Sequence, residues 1–255
     1  QTCALPISSA FSLGLHSRSE LTLIKKIADQ SSKNIAVSSP FANILHTKTG
    51  KEWGIIPNIV HERFFRNICI PVDRSVFRFI NICFLKENKK VDLLIKAFSS
   101  EFKGNHKIQL YIGGTGDQLL KLNQLASDLE LEDQVVFLGA LSRSQVMEEV
   151  EKADVFVLSS EFETFGVVLI EALALGKPVI STRSGGPEDI VDEKNGLLVP
   201  TNNSEALGKA MQYMVENYNT YNPQEIQQRC HEKFSEASVA KRLVNVYQQV
   251  LTKNP

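Results

Sequence analysis

From Arg78 onward the sequence alternates between short apolar runs and helical patterns, and no other feature narrows the possible folds so far. Apolar strands begin near Ile80, Ile108, Gln134, Asp154, Val179 and Gly196. Helical periodicity occupies residues 91–102, 118–129, 144–152 and 167–175, with a short helix from Pro187. Strands that alternate with helices imply a parallel sheet covered on both faces. Right-handed crossovers make such a sheet doubly wound and Rossmann-like, an α/β fold. Its ligands bind outside the carboxyl ends of the strands. The loops bearing Lys89, Gly114, Leu141, Glu163 and Arg183 all fall at that edge.

Residues 159–175 (SSEFETFGVVLIEALAL) hold the most chemistry. An apolar strand, DVFVL, runs into this stretch, and an apolar helix from Val167 runs out of it. Gly176-Lys177-Pro178 stops that helix, as glycine followed by proline should. Between strand and helix lies a loop ending in Phe165-Gly166. Such a turn leaves backbone N–H groups unpaired at the helix start, a site for an anion and above all for a phosphate. Glu163 lies in the loop and Glu171 on the helix. The helical neighbours of Glu171 are Val167, Val168, Ala174 and Leu175, so its charge needs a partner. That partner is either a basic residue such as Arg183, in a structural salt bridge, or the hydroxyl pair of a ribose. Spacing alone leaves both open.

Glu163-Thr164-Phe165-Gly166 and Glu171, followed by Ala172, resemble the E-x7-E signature of retaining glycosyltransferases with the GT-B fold. The resemblance is to glycosyltransferase family 4, the glycosyl transferases group 1 domain. It continues through Gly176-Lys177-Pro178-Val179, Gly185-Gly186 and Asn195-Gly196-Leu197-Leu198-Val199, and extends over residues 35–250. It implies the C-terminal, donor-binding half of a GT-B fold, preceded by the remnant of a second Rossmann-like domain. It also implies roles. Glu171 holds the ribose of a nucleotide-diphosphate sugar. Glu163, the catalytic candidate, holds sugar hydroxyls and faces the positive charge that develops at the anomeric carbon. The N–H groups around Phe165, Gly166 and Val167, together with Lys89, stabilise the leaving diphosphate. The base lies against the loop Gly139-Ala140-Leu141-Ser142. No metal and no cofactor are implied.

Four positions depart from the family pattern. Phe84 stands where an arginine is usual and Cys83 where a glycine is usual, leaving Lys86 or Lys90 to supply charge. The interdomain passage reads Pro57-Asn58-Ile59-Val60-His61 where Pro-Asn-Gly-Val-Asp is usual, and His61 is expected to face solvent.

The pattern divides the chain. Residues 9–63 are expected to be the remnant of the N-terminal, acceptor-side domain, with Ser19 capping a helix and Ser39-Pro40 starting another. Residues 64–77 read as a linker, 78–220 as the donor domain, and 221–255 as helices that pack back toward the first domain. With most of that domain outside the chain, apolar surface is expected to be bare. The first eight residues, QTCALPIS, are what a common sequencing-adapter stretch (CAG ACG TGT GCT CTT CCG ATC T) would encode. They are expected to be an artefact of a truncated reading frame.

Composition removes competitors. A formal net charge of −1 gives no footprint for nucleic acid. Cys3, Cys69, Cys83 and Cys230 have no metal-ligand spacing and read as reduced thiols of a cytoplasmic protein. Any membrane association is expected to be peripheral, through the missing domain. A nicotinamide oxidoreductase needs a full glycine fingerprint after the first strand, which offers only Cys83-Phe84. Gly113-Gly114-Thr115-Gly116 follows the second strand and reads as a tight turn. The expected function is transfer of a sugar, with retention, to an unknown acceptor (a glycan, a lipid or a small molecule). The competing readings are a nucleotide-sugar epimerase or hydrolase of the same fold and a catalytically inactive nucleotide-binding fragment.

Overall fold

A computed structural model describes residues 18–68 and 75–253. The expectations for residues 1–8, for Cys3 and Cys69, and for the middle of the linker lie outside the described residues.

The head of the chain is one βαβ unit with a helix before it. Helix α1 (Arg18–Gln30) leads into strand β1 (Asn34–Ala36), helix α2 (Ser39–Thr49) and strand β2 (Trp53–Ile55). The two strands pair in parallel, Asn34 against Trp53 through Ala36 against Ile55. Helix α2 starts where the sequence says it should. The Ser38 side chain accepts the Phe41 N–H, and Pro40 occupies the first turn. Gly50, at φ 72°, ends the helix by returning its N–H to His46. Ser19 is not a cap, because α1 already includes Arg18. A small core of Ile24, Ala36, Phe41, Ala42 and Leu45 closes the unit.

The rest is a six-stranded parallel sheet wrapped by helices. In chain order its elements are β3 (Phe77–Ile82), α3 (Val91–Phe102), β4 (Ile108–Gly113), α4 (Leu119–Asp128), β5 (Val135–Gly139), α5 (Arg143–Lys152), β6 (Val155–Leu158), α6 (Val167–Ala174), β7 (Val179–Thr182) and β8 (Gly196–Val199). Helices α7 (Ser204–Asn217), α8 (Pro223–Phe234) and α9 (Glu236–Lys253) follow. The strand order is β5-β4-β3-β6-β7-β8, so the winding reverses between β3 and β6. That reversal opens a crevice at the carboxyl edge, the place where doubly wound sheets bind ligands.

Side chains alternate between two buried faces. Phe79, Leu110, Ile112, Val155, Val157 and Ile180 enter one core, with residues of α3, α4 and α7. Ile80, Ile82, Phe156, Leu158 and Val179 enter the other, with residues of α5, α6 and α8. Burial on both faces is why β6 and β7 read as unbroken apolar runs rather than alternating ones.

The tail returns to the head. Val60 donates its N–H to the Phe234 carbonyl at 2.9 Å and forms a parallel bridge with Ser235. On α9, Val244, Tyr247 and Leu251 lie at helical spacing and are exposed, Leu251 by 70%. None of the described helices is long and apolar enough to cross a membrane.

Helix α5 begins at a capping box. Ser142 Oγ accepts the Gln145 N–H, and Gln145 Oε1 accepts the Ser142 N–H at 2.9 Å. Ser142→Ala is expected to cost about 1 kcal/mol, read as a lower urea midpoint with an unchanged slope.

Candidate functional site

Two loops meet at the crevice. The loop leaving β3 carries Lys89, and the loop leaving β6 carries Glu163. Lys89 Nζ lies 2.5 Å from Glu163 Oε1, and Ser160 Oγ donates to the same oxygen at 2.8 Å. The Lys89 and Glu163 side chains are 22% and 14% exposed, so solvent screens the pair only partly. The backbones are joined as well. Ser159 Oγ donates to the Lys89 carbonyl at 2.8 Å, and the Glu161 N–H donates to the Asn88 carbonyl at 2.8 Å. Beside them, Lys90 pairs with Glu161 at 3.3 Å.

The turn beyond Glu163 is fixed from behind. Phe165 is buried and packs edge-on against Phe234, ring centroids 5.9 Å apart. Gly166 takes φ 99°, a left-handed conformation that disfavours any side chain, and α6 starts at once. Among the described residues, the N–H groups of Phe165, Gly166 and Val167 donate to no protein acceptor. They stand as open donors at the positive end of a helix.

A third loop supports this turn. The Glu163 N–H donates to the Ser184 carbonyl at 2.8 Å, and Gly186 returns its N–H to the Glu163 carbonyl at 2.9 Å. A Cβ on Gly186 would stand 2.2 Å from Phe165 Cα, and one on Gly185 would stand 2.9 Å from the Glu163 carbonyl oxygen. The glycine pair lets the β7 loop lie directly against the β6 loop.

Glu171 is half-buried on α6 and makes no hydrogen bond or ion pair with the described residues. Burial pushes its carboxyl above the ordinary value, while the charges of Arg143 and Arg63 pull it back down. The salt bridge to Arg183 does not form, because Arg183 turns to Glu188 at 3.7 Å. The cation nearest in influence, Arg143, sits in the first turn of α5, just past Leu141. That placement was a legible signal, since a helix N-terminus disfavours a cation. Leu141 itself packs over Gly113, where an added Cβ would meet its Cδ1 at 2.7 Å.

The remaining candidates are less involved. Phe84, in the usual arginine place, is 73% exposed. The Cys83 thiol is pushed up to about 12, chiefly by burial, so it is inert as a nucleophile. Lys86 lines a cleft of 340 Å³ with Lys121 and Gln118, away from Glu163. Gly114 and Gly116 serve packing, because Cβ atoms there would lie 1.8 Å from the Cys83 carbonyl oxygen and 2.2 Å from that of Leu85. His61 is exposed and accepts the Arg63 N–H through Nδ1. Among the described residues no group of three or more His, Cys, Asp or Glu is placed to hold a metal ion.

Comparison with known proteins adds the family. The glycosyl transferases group 1 family matches residues 71–233. An uncharacterised glycosyltransferase of Methanocaldococcus jannaschii is 30% identical over 187 residues, 72% of this chain and 47% of that protein. N-acetyl-alpha-D-glucosaminyl L-malate synthase of Bacillus anthracis is 29% identical over 241 residues, 90% of this chain and 62% of that protein. The chain thus spans 47% and 62% of those two relatives' own lengths. Among solved structures, sucrose-phosphate synthase from Thermosynechococcus elongatus superposes with a TM-score of 0.81 at 22% identity, covering 94% of this chain and 63% of that one. Anabaena HepE, solved in complex with UDP and glucose, gives 0.80 at 21% identity, covering 92% and 68%. At such identities these two structures establish the fold alone.

Proposed function

This chain belongs to the glycosyl transferases group 1 family of GT-B glycosyltransferases, and on that premise we propose that it carries the donor-binding half of a retaining glycosyltransferase. The donor is a nucleotide-diphosphate sugar, and the acceptor is bound largely by residues outside this chain. The observation that carries the reading is the Lys89–Glu163 pair, set at the reversal of the sheet beside a turn with open N–H groups.

In this reading the diphosphate lies across the turn of Phe165, Gly166 and Val167, and Lys89 leaves Glu163 to meet it. Both contacts strengthen as the glycosidic bond breaks and charge moves onto the departing phosphate oxygen, which is what lowers the barrier. Glu163, released from its lysine, holds sugar hydroxyls and offers negative charge to the anomeric carbon. Glu171 accepts the ribose hydroxyls, and the base rests on Gly139 to Leu141. No metal ion takes part, so binding is expected to survive EDTA.

Titration calorimetry with UDP, GDP and ADP tests this. One of the three is expected to bind, and Lys89→Ala is expected to weaken it about fivefold, near 1 kcal/mol. The loss should shrink as salt rises, because part of the lysine's contribution is screened. Failure of all three to bind at millimolar concentration would remove the proposal.

A further inference from the structure

We propose that the Ser38-Ser39 corner of the head is a positioning element for the diphosphate turn, with Ser38 acting through the Thr164 carbonyl. The inference rests on the donor-site reading above and extends it to a segment outside the sheet that forms the site.

Ser38 is fully buried, with 0% exposure. Its hydroxyl donates to the Thr164 carbonyl at 2.7 Å, across 126 residues of sequence. The same oxygen accepts the Phe41 N–H at 3.3 Å, at the start of α2. Both capacities of the hydroxyl are therefore used, in a place where an unmade bond is costly. The Thr164 carbonyl and the Phe165 N–H belong to one planar peptide unit. Fixing the carbonyl direction fixes the N–H direction, and that N–H is the first of the three open donors. Ser38 thus aims a donor it never touches.

Ser39 secures the neighbouring loop. Its N–H donates to Asp189 Oδ2 at 2.5 Å, and Lys233 Nζ donates to the Asp189 carbonyl at 2.5 Å. Asp189 ends the short turn Gly186–Asp189, whose first residue presses on the Phe165 backbone. Pro40 stands against Gly185, 3.9 Å from where a Cβ would be. One corner of the head therefore touches both loops that shape the turn, and α8 also holds the second loop, through Lys233. A purely structural contact could lie anywhere along these loops. This one ends on the peptide that supplies the anion donor.

The test uses the full chain, with hydrogen–deuterium exchange and calorimetry run on Ser38→Ala, Ser38→Thr and Asp189→Ala. Ser38→Ala is expected to speed exchange of the hydrogen-bonded amides that flank the turn, those of Glu163, Leu169 and Gly186, at least tenfold, while those of β4 and β7 stay within twofold. Affinity for the nucleoside diphosphate that binds (UDP, GDP or ADP) should fall at least fivefold, and affinity for its monophosphate should fall less, because a monophosphate brings one phosphate to the turn instead of two. Ser38→Thr, which keeps the hydroxyl, should restore both readouts. If Ser38→Ala does not fold, Asp189→Ala carries the same local signature through Ser39. Unchanged exchange at Glu163, Leu169 and Gly186, acceleration spread evenly over the sheet, or equal losses for the diphosphate and its monophosphate would each overturn the proposal. Should wild-type protein bind no nucleotide, the donor-site reading fails by itself, and the exchange arm still decides whether the corner positions the turn.

Discussion

Gly186→Ala is expected to lower the unfolding free energy by about 3 kcal/mol, measured by urea denaturation. The argument is one of space. The added Cβ would lie 2.2 Å from Phe165 Cα, 2.4 Å from its nitrogen and 2.6 Å from its carbonyl oxygen. All three are backbone atoms, with no side-chain rotation to relieve them, and the Phe165 ring behind them is held by Phe234. The β6 and β7 loops must separate, which breaks the Gly186–Glu163 hydrogen bond and tilts the turn. Gly104→Ala is the control. Gly104 has φ 82° and no atom within 4 Å of the place a Cβ would take, so only left-handed strain of about 1 kcal/mol applies there. A Gly186 variant no less stable than the Gly104 variant would show that the loops do not need their close approach.

Glu171→Ala is expected to weaken nucleoside-diphosphate binding more than tenfold, at least about 1.4 kcal/mol. A second measurement separates a ligand role from a structural one. Burial raises the Glu171 carboxyl above its unfolded value, against the pull of Arg143 and Arg63. A raised carboxyl favours the fold while it is protonated, below its unfolded value, and that benefit is lost as pH rises through the folded value. At neutral pH the ionised carboxylate therefore burdens the empty protein. Glu171→Gln should melt higher than wild type at pH 7, and the gap should close as pH approaches 4. Higher melting combined with lost affinity is the behaviour of a group kept for its ligand. Unchanged affinity in both variants would leave Glu171 with no part in binding.

The sheet was legible because its information is local and periodic. Apolar runs at Ile108, Val179 and Gly196 begin strands where expected, and the pattern over 91–102 is a helix with those bounds. The site was legible only as a set of positions. Lys89, Glu163, Phe165, Gly166, Glu171 and Leu141 do fall on the carboxyl edge or on the first turns beyond it. Their partners did not follow from spacing. Lys89 meets Glu163 across 74 residues, and Ser38 meets Thr164 across 126. Glu171 lies under the charge of Arg143 rather than Arg183, because α5 and α6 cover the same face of the sheet while Arg183 turns away to Glu188. Sequence periodicity reports which face a residue takes, and the crossovers decide what it meets there. The glycines at 113–116 show the same limit: their motif allowed a ligand or a turn, and the carbonyls of Cys83 and Leu85 decide it.

The bridge between Val60 and Ser235 has a mechanical corollary. The polypeptide passes out of the head and back toward it along this bridge, flanked by the Glu62–His231 and His61–Glu236 pairs, so the two passages cannot slide past one another without breaking it. Any movement of the head against the sheet would strain this strip together with the Ser38–Thr164 hydrogen bond.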